Sequence, residues 1–507
     1  MVDRVTNQAM QATALQNIFR ITEGLFKANE RIATGKRINN LSDDPTALRD
    51  SLSLKNSITQ VNQFRRNIDN NTVFLQNADT ALNSIGLGLI RARELSLGSL
   101  AGTDSAETRQ FAAIELGNII DQALQSANSR VKNNFLFSGT ESRTEPFLKT
   151  AGSGVVYQGN SQRFEIQIAN NSSVPLTLPG SEMLATDLNP ILTGTTQLSN
   201  LNAGAGVPSG TFSITDRAGN SANINVAAGA DINTVIGAIN GAGLNVTAAI
   251  NAQRNGLVLA DSSTTIVGSL TVAEVGNGTT AQALGIEGRI DGNLQGRDID
   301  PGVTGNTLIS ELNNGQGINL GSINIVNGAT SGIVNLSAAS TLNDVLTTIN
   351  GAGLNVTATI NSRGNALQVN SNSASSAAII RDIGNGKTAE ALGLGGGRNV
   401  FVVMSKLKEA LEKDDTFGIL ASLDTLETTQ TQLNNARAEL GSIQRRLEAT
   451  ERIHESDVVT QTEQLSTVAD ADITEEASNV AQLDFALRAT LNTSARILQP
   501  SLLDFLR

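Results

Sequence analysis

His454 is the one histidine of this 507-residue chain, and an imidazole can act as acid, base or metal ligand. No partner for it stands out. The chain has no cysteine, which excludes a thiol nucleophile, a disulfide frame, a zinc ribbon and an iron–sulfur site. A Ser-His-Asp triad could use only His454, and no positioned acid/base pair is visible. Asp298-Ile299-Asp300 and Asp470-Ala471-Asp472 resemble fragments of a calcium loop. Both lack its full spacing and its turn glycine, so capping and turn roles suit them better. Gly86-Leu87-Gly88 follows no strand and sits inside a heptad pattern, which removes a phosphate-loop reading. Asn171-Ser-Ser, Asn245-Val-Thr, Asn335-Leu-Ser and Asn355-Val-Thr are formal glycosylation sequons in an Asn/Thr-rich stretch. The expectation is a protein with no catalytic site, metal or cofactor, whose work is packing.

The composition is uneven. Of 47 glycines, 37 lie between residues 151 and 400, whereas that stretch holds only 9 of 36 Lys+Arg and 15 of 48 Asp+Glu. Two charged, Gly-poor ends thus flank a weakly charged middle. A net charge of −12, no basic block, no Trp and one Tyr argue against nucleic-acid binding. No run approaches the ~18 apolar residues of a membrane helix, so no membrane insertion is expected. The start, MVDRVTNQAMQATALQNIF, lacks the apolar h-region of a secretory signal.

Both ends read as helix. Leu15, Ile18, Thr22, Leu25, Asn29 and Ile32 recur by three and four, with Gly35 as a stop. Asp44 suits an N-cap and Pro45 a first helical turn. A long helix then runs to about residue 100. In it Leu54, Val61, Ile68, Leu75, Leu82 and Leu89 recur every seven residues, supported by Phe64, Ala78, Ile85 and Ala92. A second helix is expected over about 104–132. On the C-terminal side Ile419, Leu426, Leu433, Leu440 and Leu447 repeat the heptad, with Ala436 and Ile443 beside them and His454 next in the row. Asp472 with Glu475 reads as a capping box. A last helix carries Val480, Leu483, Leu487, Thr490, Ser494 and Ile497, and Pro500 ends or kinks it. The economical arrangement pairs inner with inner and outer with outer helices, antiparallel. The outer stripes are thin and marginal in isolation, so they are expected to order when many copies pack.

The middle contains a repeat. Gly241–Ala248 returns unchanged as Gly351–Ala358. Before it, Ile232, Val235, Ile236, Ile239 and Asn240 match Leu342, Val345, Leu346, Ile349 and Asn350, and after it Gly276-Asn-Gly278 matches Gly384-Asn-Gly386. Two tandem β-strand/short-helix modules follow, too few for a solenoid. The fold class is therefore α+β: a long antiparallel helical coiled-coil core formed by both chain ends, with β-rich domains inserted in the middle. The expected domains are 1–44 with 465–507 (axial assembly), 45–190 with 399–464 (helical bundle and short β element), 191–304 (first module) and 305–398 (second module).

Arg31-Ile-Ala-Thr-Gly-Lys-Arg-Ile-Asn39 followed by Ser42-Asp-Asp-Pro45 resembles the N-terminal signature of the bacterial flagellin family. Asn479–Leu498 and then Ser501-Leu-Leu-Asp-Phe-Leu506 are similar to its C-terminal helix. Pro45, and Asn134-Phe-Leu-Phe-Ser-Gly-Thr140 with Pro146-Phe147, resemble the branch that joins hook to filament more than the bulk filament subunit. The tandem modules resemble the flagellin hook-IN motif. The resemblance implies a subunit exported unfolded by the flagellar type III pathway and held beforehand by a cytosolic export chaperone at its C-terminal region. Its partners would be other copies of itself, the first hook-associated protein on the hook side and flagellin on the filament side, in the extracellular flagellum. Subunit packing is expected to use Leu15, Ile18, Leu25 and Ile32 with Val480, Leu483, Leu487, Ile497 and Leu498. The alternatives are flagellin itself and a flagellin-like surface adhesin; binding retained by the isolated 190–398 fragment would favour the adhesin.

Overall fold

A computed structural model describes residues 2–101, 104–150, 154–176, 178–202, 204–299 and 302–498. The chain divides into two compact units. One draws on residues 1–70, 167–173 and 445–507; the other on 71–166 and 174–444. Eight helices longer than one turn are used below: α1 (Val2–Thr34), α2 (Pro45–Ser99), α3 (Ala106–Ala127), α4 (Ile232–Asn240), α5 (Leu342–Asn350), α6 (Val400–Glu412), α7 (Thr416–Ala469) and α8 (Ile473–Leu498). The long helices begin as their caps require. The Asp44 carboxylate accepts the Ala47 N–H at 2.9 Å, and Asp472 accepts those of Thr474 and Glu475 at 2.8 and 3.2 Å.

Within the larger unit, the heptad rows meet. Leu75, Leu82, Ile85, Leu89 and Ala92 of α2 are buried, as are Ile419, Leu426, Leu433, Leu440 and Ile443 of α7. The pairing is antiparallel: Arg437 holds Asp79 at 2.8 Å, Gly86 faces Leu433, and Arg93 reaches Glu427 at 3.7 Å. Gly86 and Gly88 allow close helix approach, since a Cβ at Gly88 would lie 3.0 Å from Ile119. α3 packs on α6 and α2, burying Ala113, Leu116, Ile120, Ala123 and Ala127. It stops at Ala127, short of the expected 132, because the Asn128 side chain turns to the Phe147 backbone. It accepts the Phe147 N–H at 3.0 Å and donates to the Phe147 carbonyl at 2.8 Å.

The two modules fold alike. In the first, strands Gly210–Thr215, Ser221–Val226, Leu270–Glu274 and Gly288–Ile290 form one sheet, and Val246–Ile250, Leu257–Asp261 and Leu294–Gln295 another. α4 buries Ile232, Val235 and Ile239 between them. In the second, Ser322–Asn327, Thr330–Asn335 and Ala378–Asp382 form one sheet and Val356–Ile360 with Leu367–Ser371 the other. α5 buries Leu342, Val345 and Ile349. The repeated Asn does the same job twice. Asn240 brackets the Ala248 backbone and Asn350 that of Ala358, each accepting at 2.6 Å and donating at 3.2 Å.

The modules differ at their outer edges. The hairpin Gly288–Gln295 completes both sheets of the first module. In the second, the chain passes instead into α6. The helical bundle takes over the edge. Arg381 reaches Asp424 at 3.6 Å, the Ala377 N–H donates to Asp415 at 3.0 Å, and Lys413 Nζ donates to the Ser376 carbonyl at 2.9 Å. Next to this lies the hairpin Phe147–Thr150/Gly154–Tyr157. Tyr157 is buried there against Phe147, ring centroids 5.2 Å apart.

Candidate functional site

In the smaller unit the outer helices pair, antiparallel. Arg31 of α1 and Glu476 of α8 form a half-buried ion pair at 2.9 Å, and Gly24 sits against Leu483. The α1 end is clipped to the α7–α8 junction. The Arg37 N–H donates to the Ala469 carbonyl at 2.8 Å and the Ala471 N–H to the Gly35 carbonyl at 3.0 Å. Gly35 has φ +66°, the left-handed stop expected of it. Lys36 pairs with Asp470 at the same place and is the main cause holding that carboxyl below its ordinary range.

Ile18, Leu25 and Ile32 of α1 and Val480, Leu483 and Leu487 of α8 are half-buried, and Ser494 is buried. Ile21, Gly24 and Ala28 share this face of α1, and Ala28 is its most buried member at 1% exposure. Thr22 and Asn29 fall outside it, exposed, and bond back to the carbonyls of Ile18 and Leu25. Leu15 is 56% exposed and lies on the far side with Phe19 and Phe26, each 71% exposed. Their spacings of four and seven place these three on one stripe. On α8, Phe485 is 76% exposed. The side chains of Ile497 and Leu498, the tail 499–507 and Asp300 lie outside the described residues. Farther along, Ala9, Met10, Thr13 and Ala14 with Ala489, Thr493 and Ser494 line an open groove of about 540 Å³. Small Gly24 and Ala28 therefore let the two helices close over half-buried Ile18, Leu25, Leu483 and Leu487, while Leu15, Phe19, Phe26 and Phe485 are left outside.

His454 is buried in the same unit. It stacks on Phe64, centroids 5.8 Å apart, and its Nε2–H donates to the Ile168 carbonyl at 2.6 Å. That carbonyl belongs to the 167–173 segment, the turn with the adjoining ends of strands Glu165–Ala169 and Ser172–Pro175. Gln60 donates to Asn170 at 2.6 Å and Asn67 to the Gln167 carbonyl at 3.2 Å. The histidine is a strut holding a turn on the coiled coil. Among the described residues, no group of three or more His, Cys, Asp or Glu could hold a metal ion, and no helix is long and apolar enough to cross a membrane.

The smaller unit thus pairs terminal helices with apolar residues left exposed, and the larger holds a helical bundle carrying β insertions. Residues 5–142 match the bacterial flagellin N-terminal helical region and residues 423–506 the bacterial flagellin C-terminal helical region. At both its ends, the chain is thus similar to the bacterial flagellins. A flagellar filament 30.7 kDa core protein of Treponema maltophilum is 27% identical over 184 residues, 35% of this chain and 63% of that protein. Flagellar hook-associated protein 3 of Salmonella typhimurium is 26% identical over 183 residues, 36% of this chain and 56% of that protein. The chain thus spans less than two thirds of the length of these relatives. A solved structure of flagellar hook-associated protein 3 from Legionella pneumophila superposes with TM-score 0.39 at 14% identity, over 82% of this chain and 98% of that one.

Proposed function

We propose that this chain is an axial structural subunit of the bacterial flagellum that forms the junction between hook and filament as a ring of copies. The observation that carries the axial role is the outward apolar stripe Leu15, Phe19 and Phe26, with Phe485, on helices that pair through small residues. An exposed row of this kind has a purpose when neighbouring copies cover it. Burying each large side chain contributes ~1.5–3 kcal/mol, so a few of them decide assembly. The junction role rests on Pro45, which opens α2, on the Asn134–Thr140 segment, and on likeness to hook-associated protein 3. In this reading, the hook-side partner is the first hook-associated protein, the filament-side partner is flagellin, and a cytosolic chaperone holds the C-terminal region before export.

The test is Phe19→Asp with Phe26→Asp. Both side chains are exposed, so the helical signal and melting midpoint should stay unchanged. Cells should then build hooks but release flagellin into the medium. Normal filaments in the double variant would sink the proposal. Filament-protein relatives keep flagellin as the second reading, and copy number decides: a ring's worth per flagellum, or thousands.

A further inference from the structure

The difference between the two modules leaves one strand edge open. In the first module Leu257–Asp261 pairs with Val246–Ile250 on one side and with Leu294–Gln295 on the other, so that Leu294 is buried. In the second, the corresponding strand Leu367–Ser371 pairs as a strand only with Val356–Ile360 among the described residues, and on its other edge the Leu367 N–H donates to the Leu392 carbonyl at 3.0 Å. It borders a cavity of about 180 Å³. Strand Gly154–Tyr157 lines the same cavity, and among the described residues it too is paired on one side alone, with Phe147–Thr150. The Tyr157 carbonyl accepts from Asn365 Nδ2 of the second module at 3.0 Å. α6 contributes Phe401, Val402, Ser405 and Lys406, whose Nζ donates to Asn370 at 3.2 Å and Glu409 at 2.9 Å.

An open strand edge offers main-chain donors and acceptors to an added strand, and side-chain pockets beside it select the sequence. Here two such edges share one cavity walled by Val156, Leu367, Val369, Leu394 and Phe401. Thr186, Asn365, Asn370, Asn399 and Lys406 supply polar groups beside them. A cavity of ~150 Å³ accepts a benzene-sized group, so this one has room for a single aliphatic side chain rather than a drug-sized ligand. The first module displays the occupant that its own edge takes: a two-residue strand that buries a leucine. We propose that the cavity beside Leu367–Ser371 binds an extended peptide segment carrying one aliphatic side chain, added as a strand to that edge.

The probe is a synthetic peptide of residues 288–297, GRIDGNLQGR, titrated into the full chain. Tyr157 is the one tyrosine and there is no tryptophan, so ultraviolet emission reports this cavity alone. The expected result is a saturable change in emission. A peptide with aspartate in place of its leucine should bind at least about tenfold more weakly. Ser405→Leu, or Val402→Phe should the first fail to fold, fills the cavity from α6 and should weaken binding as much. No saturable change up to about 1 mM peptide, equal binding of the aspartate peptide, or undiminished binding in a folded cavity-filled variant would each overturn the proposal.

Discussion

Tyr157 shows how much one side chain can hold. Its hydroxyl lies 2.9 Å from the Phe137 carbonyl and 2.8 Å from that of Asn160. Phe147 stacks between it and Phe401, with ring centroids 5.2 Å apart on both sides. Gly180 lets the chain pass, since a Cβ there would come within 2.6 Å of Phe147. Burial is the main cause pushing the phenol well above its ordinary value. The neutral form is favoured in the folded chain, so this contribution to stability is full below the ordinary phenol pKa and is lost as the pH climbs above it. With one tyrosine in the chain the check is direct. Ultraviolet absorbance should show almost no phenolate at pH 10, where a free tyrosine is half ionised, and should gain it in one step when the chain unfolds. None of these partners was readable beforehand, because contacts of Tyr157 with residues 137, 147 and 180, and of Phe147 with Phe401, are made by the fold. His454 was half readable. Its place in the leucine row put it in the seam, but nothing local announced that its ring would meet the carbonyl of Ile168, 286 residues away.

Helices were the legible elements wherever large apolar residues write the period. The rows through Leu75 and Leu433 came out as seams, buried from Ile68 to Leu89 and from Ile419 to Leu447 and half-buried at Leu54 and Val61, because every member is bulky and its absence would leave a hole. The α1 stripe was only partly legible. Its contact face includes Ile21, Gly24 and Ala28, and small residues carry almost no hydrophobic signal although they set how closely two helices approach. Thr22 and Asn29 fit a three/four spacing but sit on the exposed side. Helix starts follow local chemistry and read well. Asp44 accepts the Ala47 N–H, and Pro45 needs no hydrogen at the first turn. Asp44→Ala should cost about 1 kcal/mol, measured as a lower urea midpoint of the helical signal with the slope unchanged. Asp44→Ser should restore most of it, since a hydroxyl can also cap.

At the scale of the whole chain, the repeat was plain in the letters, whereas the different fates of its two copies were not. Both copies keep the Leu-Gly after their short last helix, and only the continuation differs, a hairpin in one and α6 in the other. The backbone also brings the two ends of the first module side by side. The Leu188 N–H donates to the Asn365 carbonyl and the Val303 N–H to the adjacent Gly364 carbonyl, both at 2.7 Å. Excising residues 192–302 should therefore let Ile191 meet Val303 without disturbing the bundle. The expected outcome is a shortened chain whose main calorimetric transition stays within a few degrees of the parent, because its helical core is untouched. A large fall would mean that the first module braces the bundle. A module that completes its own sheets and returns the chain to where it left can be copied or lost as a unit. The copy next to α6 cannot, because the helices cover its Ala378–Asp382 side. A chain of this architecture can be lengthened or shortened in steps of one module, with the final copy always acting as the fixed socket.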